Sequence, residues 1–210
     1  MNLTHYYWWF KAAIPPRICD HIIKYGLKQD EDVAITGGLG RDRDLKKQPL
    51  NKKEMKDLKK KRDSSIVWMN DRWIYNEIQP YVKEANQLAG WNFNWDWSES
   101  CQFTKYKPGQ YYDWHCDSWD GVYEKEGPTK GKIRKLSVTV SLSDEKDYSG
   151  GELEFQFRNV DNPKVTRVCK EIVSRGSLVV FPSFVWHRVK PVKKGVRYSL
   201  VLWNLGYPFQ

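Results

Sequence analysis

Residues 134–157 read RKLSVTVSLSDEKDYSGGELEFQF. Arg134, Leu136, Val138, Val140 and Leu142 alternate with Lys135, Ser137, Thr139 and Ser141. That is the period-two pattern of a strand whose two faces meet different surroundings. Asp144 to Gly151 forms a turn, after which Leu153, Phe155 and Phe157 alternate with Glu152, Glu154 and Gln156. Val165 to Val173 reads as a further strand, followed by Ser177-Leu178-Val179-Val180-Phe181, and Val196 to Trp203 closes the set. Many short β-rich segments with turns between them predict an antiparallel sandwich or a double-sheet jelly roll.

Helical periodicity belongs to the chain before Gly90. Trp73, Ile74, Ile78, Tyr81, Val82, Ala85, Leu88 and Ala89 recur at three and four, predicting a helix that Asn70 caps and Gly90 ends. Pro80 inside it predicts a kink or a break. Pro15-Pro16 precede a shorter stripe of Ile18, Ile22 and Ile23, with Gly26 as its stop. Val33 to Gly40, with Gly37, Gly38 and Gly40, reads as a flexible turn region. It lacks a following helix with Lys-Ser/Thr, so it is not a phosphate loop. The chain reads as one domain over 1–210, with 1–92 as helical support carrying a basic insert or lid and 93–210 as the jelly-roll core.

Composition narrows the class. With 210 residues, 40% of them hydrophobic, the chain can bury a core without staples and is not disordered wholesale. No run approaches the roughly 18 apolar residues of a membrane-spanning helix, so no membrane partner is expected. Met1-Asn2-Leu3-Thr4-His5 lacks the basic stretch and apolar run of a secretory signal. Cys19, Cys101, Cys116 and Cys169 are too scattered for a disulfide scaffold and contain no C-x-x-C. They read as reduced thiols, which implies a cytoplasmic location. Of the net charge of +9, most sits between Arg41 and Arg62, where eleven Lys and Arg face four acids. Such a block is a solvated loop or lid, or a surface for phosphates or an acidic protein.

The chemistry-bearing stretch is 101–117, CQFTKYKPGQYYDWHCD. On a strand His115 and Asp117 share one face, so an imidazole and a carboxylate can take adjacent positions on one divalent metal. Of the four histidines, His5 and His21 lie in or before the first helix, which leaves His187 as third ligand. Two His and one carboxylate leave open positions on iron(II) for a bidentate 2-oxo acid and dioxygen. A zinc hydrolase can use the same three ligands. Arg197 follows His187 by ten residues, across the turn Lys190 to Gly195, and shares a strand face with Ser199, Val201 and Trp203. Facing inward, it holds a guanidinium whose burial a dicarboxylate cosubstrate would offset. Facing outward, it belongs to a basic turn with Lys190, Lys193 and Lys194. The residues alone leave both readings open.

The chain resembles the iron(II)- and 2-oxoglutarate-dependent dioxygenases, and within them the prolyl 4-hydroxylase-like group. The resemblance rests on an ordered set over about 100–205. Tyr106-Lys107-Pro108-Gly109 stands ahead of His115-Cys116-Asp117, followed by Leu136 to Leu142 and Tyr148-Ser149-Gly150-Gly151-Glu152-Leu153. Gly176 to Ser183 then precedes His187-Arg188-Val189, and Gly195-Val196-Arg197-Tyr198-Ser199 ends the set. It implies a mainly β fold, a double-stranded β-helix (jelly roll) with supporting N-terminal helices. It implies His115, Asp117 and His187 as Fe(II) ligands, and Arg197 as partner of the distal carboxylate of 2-oxoglutarate. Tyr106 would hydrogen-bond the same cosubstrate, Ser199 would assist Arg197, and Gln102 and Thr104 would line the pocket. O2 is the second cosubstrate, with ascorbate as a reductant, and the products are succinate, CO2 and a hydroxylated C–H bond.

The resemblance favours a protein or peptide substrate, a peptidyl proline above all, with Trp114, Trp119, Tyr123, Trp186 and Trp203 as groove candidates. The alternative within the superfamily is a nucleic-acid oxidative dealkylase, contacting phosphates through the basic 41–62 segment. Against it, Arg197 to Trp203 lacks the second arginine expected of that group. A non-catalytic jelly-roll binding module is the alternative from another class.

Overall fold

The computed structural model describes residues 5–34, 48–119, 121–157 and 165–209. β1 (Trp8–Phe10) leads into α1 (Pro16–Gly26) and β2 (Asp32–Val33). α2 (Lys52–Lys61) runs directly into β3 (Arg62–Asp63), then β4 (Ser65–Met69) and α3 (Arg72–Leu88). Strands follow: β5 (Trp97–Ser98), β6 (Cys101–Tyr106), β7 (Tyr111–His115), β8 (Ile133–Ser141), β9 (Tyr148–Gly150) and β10 (Leu153–Gln156). The last are β11 (Thr166–Val168), β12 (Leu178–Pro182), β13 (Trp186–Val189), β14 (Val192–Gly195) and β15 (Arg197–Gly206). A major sheet has the order β1-β12-β8-β15-β6-β4-β2, with β5 added on β15. A second sheet, β11-β10-β13-β7-β3, faces it, and β14 pairs with β9. The architecture is the expected jelly roll, a double-stranded β-helix braced by N-terminal helices.

The alternation in β8 sorts the major sheet into two faces. Leu136, Val138 and Val140, with Leu200 and Leu202 of β15 and Val180 of β12, pack against Ile22 of α1 and Ile74, Ile78 and Val82 of α3. The opposite face turns toward the second sheet. Register sets Ser199 of β15 between Thr104 of β6 and Ser141 of β8, and Val201 between Gln102 and Thr139. Trp203 lies opposite Ser137, and Arg197 opposite Tyr106. An inner face rich in serine and threonine cannot be an oily core; it is the wall of a polar chamber. One end is closed by Phe155, Phe181, Val179 and Leu153, all buried.

Several local expectations change. Asn70 does not cap α3; Asp71 precedes it, and its carboxylate accepts a hydrogen bond from Tyr25 of the α1 end (3.1 Å). α3 runs through Pro80 unbroken. Pro80 sits on the exposed side, and the buried stripe Ile74, Ile78, Val82 and Ala85 holds the helix on both sides of it. Only Thr166–Val168 of the stretch 165–173 is strand, followed by a 3-10 turn at Lys170–Ile172. Gly37, Gly38, Gly40 and the basic residues 41–47 lie outside the described residues. The rest of the basic block is not a loop: residues 52–61 form α2, with an Asn51–Glu54 capping box.

Candidate metal centre

The pairing of β13 with β7 sets His187 directly opposite His115. β7 ends at His115, so the expectation that one strand carries both His115 and Asp117 fails at Asp117. The aspartate is brought in by other contacts. Its N–H donates to Ser183 O (2.8 Å), and its Oδ2 accepts from the Ser137 hydroxyl (2.7 Å). Ser137 Oγ also lies 2.9 Å from Ser183 Oγ. Asp117 Oδ1 then stands 3.8 Å from His115 Nε2, and Oδ2 stands 3.6 Å from His187 Nε2. One ligand atom from each of the three residues falls within 4.8 Å of the others, an arrangement that can hold a metal ion.

The imidazoles are oriented for that task. His115 Nδ1 lies 2.7 Å from Asp113 O, and His187 Nδ1 lies 2.9 Å from Val185 O. A carbonyl only accepts, so each Nδ1 carries the proton and each Nε2 turns its lone pair toward the shared space. Burial, reinforced by the neighbouring His187, holds the His115 imidazolium well below its ordinary range. For Asp117 burial pulls upward, but His187, His115, Arg134 and the Ser137 hydroxyl outweigh it and hold the carboxyl at about 2. Neutral imidazole and ionised carboxylate are the states in which these groups bind a divalent cation. The Tyr112 ring stacks on His115 at 3.5 Å between centroids, and Phe181 packs edge-on to His187 at 4.7 Å. Above Tyr112 sits the Arg62 guanidinium, 4.4 Å from the ring centroid.

Arg197 faces inward: it is 3% exposed, and its Nη1 donates to Ser199 Oγ at 3.1 Å. Among the described residues no carboxylate pairs with it. Tyr106 is buried opposite, its ring centroid 5.5 Å from the guanidinium carbon. Gln102 and Thr104 line the same face and hydrogen-bond each other at 2.9 Å. Gly151, at φ +67°, leaves room for the arginine stem, because an added Cβ would stand 2.8 Å from Arg197 Cδ. A buried, unpaired guanidinium is costly, and a ligand carboxylate would offset that cost. This donor set fits iron(II) plus a dicarboxylate better than a zinc hydrolase, which has no use for the arginine.

The five aromatic candidates divide. Trp203 lies on the inner face, 6.2 Å from the half-exposed Trp68 and stacked under Arg134 at 3.9 Å. Trp119 and Tyr123 meet edge to face at 4.6 Å beside the same Arg134, which pairs with Glu99. Trp114 lies beneath Arg188 at 4.6 Å, and Trp186 faces Gln156; Arg188 and Trp186 alternate with His187, which puts them on the outer surface. Sequence reasoning passed over Ser137, Tyr112, Arg62 and Trp68. Ser137 had a signal, the hydroxyl row Ser137-Thr139-Ser141 along β8, which an apolar core would not tolerate.

A family model described as the 2OG-Fe(II) oxygenase superfamily matches residues 101–204. A PKHD-type hydroxylase from Pseudomonas fluorescens is 35% identical over 99 residues, which cover 47% of this chain and 40% of that protein. The match thus spans about two-fifths of the length of that curated relative. The fold resembles a viral collagen prolyl hydroxylase from Paramecium bursaria Chlorella virus-1, with TM-score 0.62 and 19% identity over 97% of each chain. It also resembles a Trichoplax adhaerens prolyl hydroxylase in complex with a hypoxia-inducible-factor peptide fragment, with TM-score 0.60 and 16% identity over 96% of this chain and 84% of that one. With the ordered motifs matched and the jelly roll in place around the His-Asp-His cluster, residues 101–204 match the 2OG-Fe(II) oxygenase superfamily, and the chain is similar to PKHD-type and prolyl hydroxylases.

Proposed function

We propose that the chain is a 2-oxoglutarate-dependent dioxygenase in which His115, Asp117 and His187 hold Fe(II). Arg197, aided by Ser199 and Tyr106, takes the distal carboxylate of 2-oxoglutarate, with Gln102 and Thr104 along the pocket wall. One observation carries the reading: three ligand atoms converge within 4.8 Å in the same chamber as a buried guanidinium without a carboxylate partner among the described residues. Bound there, iron(II) supplies the coupling of O2 activation to the conversion of 2-oxoglutarate into succinate and CO2, with hydroxylation of a C–H bond. The protein's own part is positional. Ser137 and Ser183 fix Asp117, the two carbonyls orient the imidazoles, and Arg197 sets the length and direction of the cosubstrate. Phe155 and Phe181 keep water from the side of His187. No side chain is asked to act as a strong base.

The substrate in this reading is a protein side chain, a peptidyl proline first, in the setting of one domain over 1–210. The folds it resembles include prolyl hydroxylases, one of them holding a peptide. Trp68, 45% exposed beside Trp203, offers the aromatic surface on which a proline ring packs. A cytoplasmic location accords with four free cysteines, three of them buried. No described helix is long and apolar enough to cross a membrane.

The test is an anaerobic titration of iron(II) and 2-oxoglutarate, followed by their visible charge-transfer band. The wild type gives the band, His187→Ala abolishes it, and Arg197→Ala needs about tenfold or more 2-oxoglutarate to reach it. A folded wild type that gives no band with both in excess overturns the assignment.

A further inference from the structure

α2 is an improbable helix by composition. Only Leu58 is buried and Met55 half-buried, while Lys52, Lys53, Lys56, Lys59, Lys60 and Lys61 are all exposed. Lys52, Lys56 and Lys60 follow one another at i,i+4, a spacing at which like charges oppose the helix. Lys60 is paired with Asp57 and Lys59 with Asp63. Lys52, Lys53, Lys56 and Lys61 have no ion-pair partner among the described residues. A folded helix that keeps self-repelling charges in the open presents them to something else.

Its position says to what. The Tyr111 hydroxyl lies 2.9 and 3.0 Å from the carbonyls of Lys59 and Lys60, tying the end of α2 to β7. β3, which continues α2 without a break, pairs with β7 as Arg62 opposite Tyr112 and Asp63 opposite Tyr111. Arg62 lies over the Tyr112 ring, and that ring stacks on His115. The lysine face is therefore braced against the strand that carries one of the proposed metal ligands. Ten residues of helix are about 15 Å long, the span of four or five residues of extended chain.

We propose that the exposed lysine face of α2 docks an acidic polypeptide segment flanking the side chain delivered to the metal centre. This rests on the dioxygenase reading for what the centre does, but the charge preference is separate from it. Carboxylates suit the surface better than a nucleic acid does. A phosphate backbone needs a positive track that continues past the helix. Among the described residues beyond Arg62, the groups around the centre include aromatic rings (Tyr112, Trp68, Trp203) and an arginine that is already paired (Arg134 with Glu99). The exposed basic groups of α2 are also all lysines, point charges that accept scattered carboxylates without the bidentate geometry arginine brings.

The test uses the full chain loaded with Mn(II) and 2-oxoglutarate, so that binding is read without turnover. A labelled proline-centred peptide with glutamates on its flanks is compared by fluorescence anisotropy with the same peptide carrying glutamines, and with a single-stranded oligonucleotide of equal charge. The glutamate peptide binds about tenfold or more tighter than the glutamine peptide at low salt. The preference disappears in the Lys52→Gln, Lys53→Gln, Lys56→Gln, Lys61→Gln variant. It reverses toward a lysine-flanked peptide when the same four become Glu, a gain that loss of folding cannot mimic. Equal affinity for both peptides in the wild type, a preference that survives the four-lysine change, or tighter binding of the oligonucleotide each overturns the proposal. Mn(II) and 2-oxoglutarate binding, measured in parallel, fails on its own if the dioxygenase reading is wrong and leaves the peptide comparison intact.

Discussion

Asp117 depends on its neighbours more than either histidine does. Each imidazole is oriented by one carbonyl two residues away in its own chain segment, whereas Asp117 lies past the end of β7 and takes its direction from Ser137 and Ser183. Removing a hydroxyl that orients a ligating carboxylate costs about 10–100-fold in metal affinity. Ser137→Ala should therefore weaken Fe(II) or Mn(II) binding by about that factor, read by titration, while the thermal midpoint of the metal-free protein moves little. Metal affinity within twofold of wild type would show that the Asp117 N–H bond to the Ser183 carbonyl alone positions the carboxylate. The strand position of Arg197 left inward and outward readings open until its burial decided between them, whereas the candidate ligands were legible because few histidines compete for the role. Ser137 was not, because its partner is set by the pairing of β12 with β8, which joins residues distant in sequence.

α1 meets the major sheet at Gly26. The sequence marks this glycine as a stop, and the helix does end there, yet its conformation is not left-handed. A Cβ at this position would stand 2.6 Å from Phe103 Cδ1 and 2.8 Å from Met69 Cε. The glycine is there so that helix and sheet can touch. Gly26→Ala sets a helix-propensity gain of about 1 kcal/mol against overpacking that costs about 1–3 kcal/mol. The Phe103 ring, 2% exposed, has little room to yield, so the variant should be destabilised by about 1 kcal/mol or more in urea denaturation. A raised midpoint would mean that Met69 and Phe103 repack freely. Hydrophobic periodicity made α1, α3, β8, β10, β12 and β15 readable. It could not reveal α2, whose apolar stripe is only Met55 and Leu58; the available signal was the Asn51-x-x-Glu54 capping box. β1 and β4 escaped for another reason: each is three to five residues long and acquires strand character from the sheet it joins.

Across the whole molecule, the helices cover the outer side of the major sheet and the polar chamber lies on its inner side. That division leaves the Arg197 guanidinium, bonded to Ser199 but without a carboxylate partner among the described residues, in a place where burial is costly until a ligand arrives. Ligands that bind only the folded state stabilise it by mass action, by about 2.7 kcal/mol at a hundred times the dissociation constant. For a domain of this size that is a rise of roughly 5–10 °C in thermal midpoint. Mn(II) with 2-oxoglutarate, a combination that does not turn over, should produce such a rise. The increments should separate by residue. His187→Ala should lose the metal increment and with it most of the cosubstrate's, since the 2-oxo acid chelates the metal. Arg197→Ala should keep the metal increment and lose only what 2-oxoglutarate adds. A cosubstrate increment undiminished in Arg197→Ala would mean that the distal carboxylate binds elsewhere in the chamber, and the purpose of burying this arginine would have to be sought in the fold itself.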